Sequence, residues 1–425
     1  KEPGMKTVLI LNPIHSPAYL SEKFKRADFY TIACFTSEKI DNLTNPIIEK
    51  KLFDEFLFID HNLDSAITKI QSILDSKKLD LRFAFSSSEF DLYYSDMVVQ
   101  VFCPEYANDP KTSGLRCDKR LMNLQLQKNG TAAARQQVVD NISQIDWNSL
   151  KFPLVVKPAE GGMGSVGVSI CNTPTMLHRY FTDISRQRWG YGFAPDHFLL
   201  EELLIGQEYA VDMVVWKKNY DLVGVYSVDK ITHRSHPIPH VRRHCPLESE
   251  AARTLAEYCK AVLSNLDVST GMMHLECMIT SAGPRLIELN PRVSGSHGIL
   301  NYCSEILNGL DQANVLISHF EGENVARKQI SHPEKSGAIF YLQNFGFTYT
   351  RVYEEIFQSL PTYHRHWLNR PSQADAKFPE NLFDTVAYIF LVSESKEQLE
   401  QDLQKISKLE KSGLCFDITP TQPSM

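Results

Sequence analysis

The first hundred residues alternate short apolar runs with a helical pattern, and this alternation restricts the folds that the chain can adopt. The apolar runs span residues 8–11, 30–35, 56–59 and 82–85. Residues 63–79, between the last two runs, carry apolar side chains at the spacing of an amphipathic helix. Strands that alternate with helices predict a doubly wound α/β domain with a parallel sheet.

The remaining residues mix helices and strands without an internal repeat. We expect helices at residues 118–128, 248–266 and 396–411, and strands at 154–158, 166–170, 198–200, 338–342 and 386–392. Two further pairs of strands are expected as hairpins, 209–216 with 222–231 and 272–279 with 286–289. The first strand of the chain is followed by Asn12-Pro13 rather than by GxGxxG, so we do not expect a nicotinamide-binding domain.

Composition excludes several classes of protein. The chain has 425 residues, with 44 Lys and Arg against 51 Asp and Glu, and this net charge of −7 argues against sequence-independent nucleic-acid binding. It has no stretch of 18 apolar residues and no CxxC or HExxH motif, so we expect no transmembrane helix and no zinc site. Residues 1–4 resemble a vector-derived remnant before an initiating Met5, without a signal peptide, so we expect a cytoplasmic protein.

A glycine-rich segment follows Lys157 and lies between two predicted strands. It contains Gly161, Gly162, Met163, Gly164 and Ser165. Glycines allow backbone N–H groups to converge on a phosphate chain, and a nearby ammonium neutralises the phosphate charge. No GK[ST] follows, so this is not a Walker A loop. The alternative interpretation is a tight turn that needs only positive φ angles.

Two neighbouring predicted strands carry Glu276, Glu288, Asn290 and Arg292. Glu288 and Asn290 are two residues apart and share a face, whereas the spacing does not fix the face of Glu276. Carboxylates clustered on apolar strands need a cation, and oxygen ligands of this kind suit Mg²⁺. Without metal, we expect the two carboxylates to raise each other's pKa and to destabilise the pocket. The alternative is a solvent-facing strand with surface charges.

A third segment, residues 199–212, joins an apolar strand to a polar connection. Adenine could lie between its apolar side chains and bind backbone groups near Glu202, Leu203 and Leu204, while Glu208 accepts from ribose hydroxyls. The alternative interpretation is an ordinary connection between two strands.

The order and spacing of these three segments resemble the ATP-grasp superfamily. The resemblance rests on the VVKPA strand with its GGMGSVG loop, on EELLIGQEYAVD, and on HLE followed by IELNPR, the most specific element. It covers roughly residues 80–330, and within the superfamily the layout is most similar to L-amino acid ligases and carnosine-synthase-like enzymes.

The resemblance implies a nucleotide site. Lys119 and Lys157 would bind phosphates, although Lys119 taken alone is equally typical of a solvated helix lysine. Residues 201–204, which begin with Glu201, would hold adenine, and Glu208 would bind the ribose.

The resemblance also implies a metal site and a fold. Glu276, Glu288 and Asn290 would hold Mg²⁺, with Mn²⁺ as the alternative ion, and Arg292 would orient the reacting carboxylate. The implied units are an N-terminal α/β domain, a small lid subdomain, a catalytic core and a C-terminal antiparallel α+β subdomain, at residues 1–105, 106–205, 206–330 and 331–425.

Residues 233–244 contain four histidines and three arginines. We expect a flexible, substrate-facing loop here, which with the glycine-rich loop would close the site and exclude water. His240, His244, Ser294 and Gly295 are the candidate substrate contacts.

The expected activity is ATP- and Mg²⁺-dependent ligation of a carboxylate, typically an amino acid, to an amine through an acylphosphate, with release of ADP. The expected partners are small molecules only. The sequence does not decide whether the chain forms a homodimer. The alternatives are a carboxylase or carbamoyl-phosphate-type enzyme that uses bicarbonate, and a non-catalytic ATP-binding module.

Overall fold

The computed structural model describes residues 4–37, 51–159, 166–184, 195–233, 236–323, 334–369 and 378–418. The glycine-rich residues expected to bind phosphate, 160–165, lie outside this part of the chain. None of the helices described is long and apolar enough to cross a membrane.

The N-terminal unit is a four-stranded parallel sheet with helices between its strands. Its elements are β1 (Met5–Leu11), α1 (Pro17–Arg26), β2 (Tyr30–Phe35), β3 (Glu55–Phe58), α2 (Leu63–Ser76), β4 (Leu79–Ser86) and α3 (Leu92–Phe102). The strand order β3-β2-β1-β4 places β1 at the point where the chain reverses its direction across the sheet. The predicted parallel, doubly wound domain is confirmed.

A small antiparallel sheet follows. Its elements are α4 (Ser113–Cys117), α5 (Lys119–Lys128), β5 (Gln136–Val139), β6 (Leu154–Pro158), β7 (Ser169–Cys171), α6 (Pro174–Asp183) and β8 (Phe198–Glu202), and the strand order is β5-β8-β6-β7. Asp118 caps α5 by accepting from the Arg120 N–H, so the helix begins at Lys119 and its side chain is placed at the first turn.

The largest sheet has eight strands in the order β13-β12-β9-β10-β11-β14-β17-β16. The elements from here to the C-terminal end are β9 (Gly206–Trp216), β10 (Asn219–His233), β11 (His236–Cys245), α7 (Glu250–Asn265), β12 (Gly271–Thr280), β13 (Gly283–Asn290), α8 (Ile299–Asn308), α9 (Gln312–Phe320), β14 (Ser336–Leu342), β15 (Tyr349–Val352), α10 (Glu354–Gln358), β16 (Tyr363–Leu368), β17 (Ala387–Ser393), α11 (Lys396–Lys411) and β18 (Phe416–Ile418). Of the strands that follow residue 330, β14, β16 and β17 extend the same sheet, whereas β15 and β18 pair with each other in a separate two-stranded sheet.

Two helices cover opposite faces of this sheet. Apolar side chains of β9, β12 and β13 pack against α7 on one face, with Leu255 and Val262 among the fully buried residues. On the other face, Tyr226 and Phe390 pack against α8. Helix α11 covers the C-terminal strands on the α7 side. A polar site must therefore lie on the α8 face, beside that helix.

The prediction that residues 233–244 form a flexible loop is wrong. Residues 219–233 and 236–245 are the long antiparallel strands β10 and β11 in the interior of the large sheet. Residues 236–245 pair with β10, and Val241, Arg242 and Arg243 pair also with β14, so pairing with distant strands outweighs the polar composition of the segment.

Candidate active site

Acidic and basic side chains collect on the α8 face of the large sheet. Residues directly opposite each other in an antiparallel ladder share a face. Glu276 pairs with Glu288, and His274 pairs with both Asn290 and Asp212. The ladder thus places two carboxylates, an amide and the His274–Asp212 pair side by side. The hairpin expected from the sequence is confirmed, and it brings the three predicted metal ligands together.

A β-bulge at Ile287 puts Glu288 on this face. Between Thr280 and Cys277 each residue of β12 pairs with a residue of β13 at one register, and from Glu276 onward the register is shifted by one. Ile287 is the extra residue. In a register without the bulge, Ile287 would lie opposite Glu276 and Glu288 opposite Leu275 on the α7 face, since side chains alternate along a strand. Leu286 and Leu289, three residues apart, are both buried on the α7 face.

The oxygen donors of this group fit Mg²⁺. Glu276 and Glu288 supply carboxylates, and Asn290 Oδ1 accepts from Arg292 Nη2 at 3.1 Å while keeping a second lone pair. Mg²⁺ is commonly held by one or two carboxylates together with substrate phosphates. Within the described residues, no group of three or more His, Cys, Asp and Glu residues could hold a metal by itself. This donor set suits a metal that is shared with a nucleotide.

Glu276 is ionised at neutral pH. Burial raises its pKa, but the neighbouring His274, Lys230 and Arg242 lower it further, so the pKa of Glu276 lies below its ordinary value. Arg242 Nη2 is 3.6 Å from Glu276 Oε1. The expectation that the paired carboxylates raise each other's pKa is therefore wrong for Glu276, because cations outnumber the carboxylates around it.

Each predicted phosphate-binding lysine contacts a carboxylate. Lys119 Nζ lies 2.9 Å from Glu288 Oε1, and Lys157 Nζ lies 2.7 Å from Glu201 Oε2. Lys157 also donates to the carbonyl oxygen of Ile287 at 3.0 Å. Two ammoniums, one on α5 and one on β6, thus lie beside the metal-ligand group, which consists of Glu276, Glu288 and Asn290.

Arg292 joins the metal-ligand group to the N-terminal unit. Its Nε donates to Glu89 Oε2 at 2.8 Å. Glu89 follows β4, and His15, which follows β1, has its Nε2 3.6 Å from the same oxygen. Burial, and then the charge of Arg292, lower the pKa of His15 to about 3, so this imidazole is neutral at pH 7.

These two residues occupy the switch point of the parallel sheet. β1 and β4 are neighbouring strands whose connections leave the sheet in opposite directions. Crevices beyond the carboxyl ends of such strands are the usual ligand sites of open α/β sheets. His15 and Glu89 therefore belong to the candidate site, and sequence analysis missed both because it could not show that β1 and β4 are neighbours.

A second charged group lies beside the first. Lys230 Nζ is 2.7 Å from Glu208 Oε1. Burial raises the pKa of Glu208, and the Lys230 charge offsets this only in part. The guanidinium of Arg242 lies 5.5 Å above the Tyr341 ring, within cation–π range. Lys230 was not predicted, and Arg242 was predicted in a loop, because the partners of β10 and β11 are distant in sequence.

The predicted adenine segment leaves the small sheet at the end of β8. Glu201 is buried and accepts from Asn123 Nδ2 at 3.1 Å, whereas Glu202 forms an ion pair with the exposed Arg135 at 2.8 Å. Leu203 and Leu204 are half-buried in the connection to β9. The Glu201 side chain is thus engaged by Lys157 and Asn123, which leaves backbone groups of the segment as the available contacts for a base.

The substrate-contact candidates divide into two pairs. His240 Nε2 is 2.8 Å from Glu410 Oε2 of α11, and His244 Nε2 is 2.8 Å from Asn308 Oδ1 of α8. His240 therefore faces away from the metal-ligand group, toward the C-terminal helix, so the prediction of a substrate contact is wrong for this residue.

Ser294 and Gly295 follow Arg292 directly and lie at the site. Ser294 is fully buried, and its carbonyl oxygen accepts from Ser16 of the N-terminal unit at 2.7 Å. The next residues, Ser296 and His297, have φ angles of 54° and 60°, which L side chains rarely adopt. Backbone strain of this kind persists where the surroundings impose it, commonly at functional sites.

Comparison with known proteins agrees with the motifs. Residues 150–300 match the model of the ATP-grasp domain. Dapdiamide A synthase of Enterobacter agglomerans is 25% identical over 246 residues, which cover 57% of this chain and 56% of that protein. Carnosine synthase 1 of Homo sapiens is 30% identical over 160 residues, which cover 35% of this chain and 19% of that protein. The chain thus matches about half of the first relative and a fifth of the second.

Solved structures show the same fold. The L-amino acid ligase from Bacillus licheniformis superposes with a TM-score of 0.73 at 14% identity, over 99% of this chain and 100% of that one. N5-carboxyaminoimidazole synthetase from Staphylococcus aureus, complexed with ADP, gives 0.68 at 16% identity, over 94% and 96% of the two chains. The resemblance predicted from the motifs is confirmed: residues 150–300 match the ATP-grasp domain, and the chain has the ATP-grasp fold.

Proposed function

We propose that this chain is an ATP- and Mg²⁺-dependent ligase that joins a carboxylate to an amine and releases ADP and phosphate. The observation that carries the proposal is the register of β12 and β13, which sets Glu276 opposite Glu288 while Lys119 and Lys157 reach Glu288 and Glu201. Carboxylates for a metal and ammoniums for phosphates then converge on one spot, as phosphoryl transfer requires.

Phosphoryl transfer to the carboxylate is the first step. The γ-phosphorus of ATP bonds to a carboxylate oxygen as its bond to the bridging oxygen of ADP breaks. When bound, Mg²⁺ would neutralise charge on the phosphate oxygens from Glu276, Glu288 and Asn290. Lys119 and Lys157 supply further positive charge. Arg292, beside Asn290, is placed to orient the carboxylate with its forked donors.

Amide formation is the second step. The amine nitrogen bonds to the carbonyl carbon, the bond from that carbon to the phosphate oxygen breaks, and the nitrogen loses a proton. Glu89 and the neutral His15 lie on the N-terminal side of Arg292, where the second substrate would approach. An acylphosphate hydrolyses in water, so the site must close. The glycine-rich loop remains the proposed lid.

An amino acid is the proposed carboxylate substrate. Two relatives are named as synthases of dapdiamide A and carnosine, and one structural neighbour as an L-amino acid ligase. The proposed metal is Mg²⁺, with Mn²⁺ as a substitute, and the proposed partners are small molecules.

A substrate screen tests the proposal. ADP release from ATP and Mg²⁺ is measured alone, with mixtures of amino acids, and with bicarbonate, and products are identified by mass spectrometry. We expect ADP release that depends on amino acids, together with masses of amide products. Release that depends on bicarbonate would favour the carboxylase alternative. Binding of ATP without turnover in any mixture would favour a non-catalytic module.

A further inference from the structure

A basic groove lies on the side of the large sheet away from the candidate active site, between β11 and the C-terminal half of α11. It encloses a cavity of about 350 Å³, lined mainly by His240, Arg243, Gln404, Ser407, Lys408 and Lys411. Cavities of about 300–1,000 Å³ typically hold small molecules. The size of the groove therefore suits a small ligand rather than a folded partner.

The two lysines carry the unbalanced charge of this groove. Lys408 and Lys411 are three residues apart on α11, so they lie on the same side of the helix. Neither forms an ion pair with any residue that the structure describes. Their positive charge stands out in a chain whose net charge is −7. Two adjacent unpaired ammoniums at a cavity attract a multiply charged anion.

The opposite wall of the groove is held in a fixed arrangement. Arg243 donates from Nε to Glu400 Oε1 at 2.7 Å and from Nη2 to Glu400 Oε2 at 3.0 Å, which neutralises the only acidic side chain among the lining residues described. Glu400 therefore does not cancel the charge of the two lysines.

His240 supplies a buried polar group to the same cavity. The residue is 7% exposed, and its Nε2 is engaged by Glu410, which also accepts from the backbone N–H of Gln343. The hydrogen bond to Glu410 fixes the imidazole in the wall of the groove.

We propose that this groove binds a small polyanion through Lys408 and Lys411, at a site separate from the nucleotide site. Arg242 and Arg243 are consecutive residues on opposite faces of β11. Arg242 contacts Glu276 on one face, and Arg243 lines the groove on the other. Phosphate and carboxylate groups share the required chemistry, so the ligand is a small di- or trianion of either kind.

Calorimetric titration of the full chain tests the site, with pyrophosphate as the phosphate probe and citrate as the carboxylate probe. ADP is left out, because it is itself a small polyanion that would compete for the groove. Binding of a probe at the nucleotide site is common to all three proteins, so the difference between test and control variants reports on the groove. The test variant is Lys408→Gln with Lys411→Gln, and the matched control is Lys396→Gln with Lys405→Gln. The control removes the same charge from exposed positions of α11 that do not line the groove.

We expect one probe or both to bind wild type and control alike, and the test variant at least 10-fold more weakly. Ser407→Glu, which places a negative charge in the groove, should have the same effect if the double variant unfolds. Equal affinity of test variant and control would overturn the site and leave both lysines as ordinary stabilisers of the helix end. Failure of both probes to bind wild type would also overturn it, without bearing on the ligase proposal.

Discussion

Lys119 Nζ lies 2.9 Å from Glu288 Oε1, and this pair connects the first turn of α5 to the end of β13. Burial lowers the pKa of Lys119, but the charge of Glu288 and its hydrogen bond raise it more, so the ammonium stays protonated at neutral pH. A predicted phosphate ligand thus compensates a predicted metal ligand. The protein itself supplies the cation that the carboxylate pair needs.

Glu288→Gln should abolish nearly all turnover, because an amide offers Mg²⁺ an oxygen without charge. It should also lower the free energy of unfolding of the ligand-free protein by about 1–3 kcal/mol, since Lys119 loses its partner. This reverses the expectation from sequence, which considered only repulsion between carboxylates. Urea denaturation measures the stability, and Glu321→Gln, which breaks the Lys6–Glu321 surface pair, is the control. Unchanged stability would show that the pair contributes nothing.

Lys157→Met should weaken ATP binding by roughly 10–150-fold, the equivalent of about 1.5–3 kcal/mol for one charge-assisted contact. Arg135→Met is the matched control, because Arg135 pairs with Glu202, the neighbour of Glu201, and is exposed. Calorimetry with a non-hydrolysable ATP analogue measures both variants. The same affinity for wild type and a folded Lys157→Met would exclude a phosphate contact.

Arg292→Lys should leave ATP affinity nearly unchanged and reduce ligation at least about 10-fold, or ~1.4 kcal/mol. Arg292 donates to Glu89, Asn290 and the Val293 carbonyl from three different nitrogens. A lysine ammonium has a single nitrogen and cannot place donors at those three positions. Arg285→Lys, in β13, which ends just before Arg292, should retain activity. A fully active Arg292→Lys would show that charge alone suffices at this position.

Stability should depend on pH through His274. Burial lowers the pKa of His274, but its hydrogen bond with Asp212 at 2.7 Å and the Asp212 charge raise it above the ordinary value of 6.5. A raised folded-state pKa stabilises the fold fully below about pH 6.5, and that contribution disappears as pH rises through the folded-state value.

Asp212→Asn should therefore lower the free energy of unfolding by about 1–3 kcal/mol at pH 6 and by less at pH 9. Urea denaturation across this range measures the difference. Asp267→Asn, which breaks an exposed pair with Lys218, should show no such trend. A loss of equal size at every pH would mean that Asp212 stabilises His274 only as a neutral hydrogen-bond acceptor.

Local sequence predicted most elements of the fold. Apolar runs located β1, β2 and β4, and the helices expected at 118–128, 248–266 and 396–411 are α5, α7 and α11. The order of strands in the large sheet could not be predicted, because β11 pairs with β14 across nearly a hundred residues. Residues 233–244 were misplaced for that reason.

Strand geometry alone predicted only the part of the candidate site whose residues are close in sequence, and the family resemblance added the distant Lys119 and Lys157. Glu288, Asn290 and Arg292 form one motif, so their common face follows from strand geometry. Glu89 and His15 come from the ends of two parallel strands, and their contact with Arg292 depends on how the N-terminal unit packs against the sheet. No local pattern carries that information.

The bulge at Ile287 affects how this protein can change during evolution. Deleting Ile287 would restore an unbroken ladder in which Glu288 still lies opposite Glu276, while Leu286 and Leu289 still face α7. The same deletion would remove the carbonyl that Lys157 holds. A gap at residue 287 should therefore leave the metal-ligand pairing intact, and its cost should appear in the anchoring of Lys157.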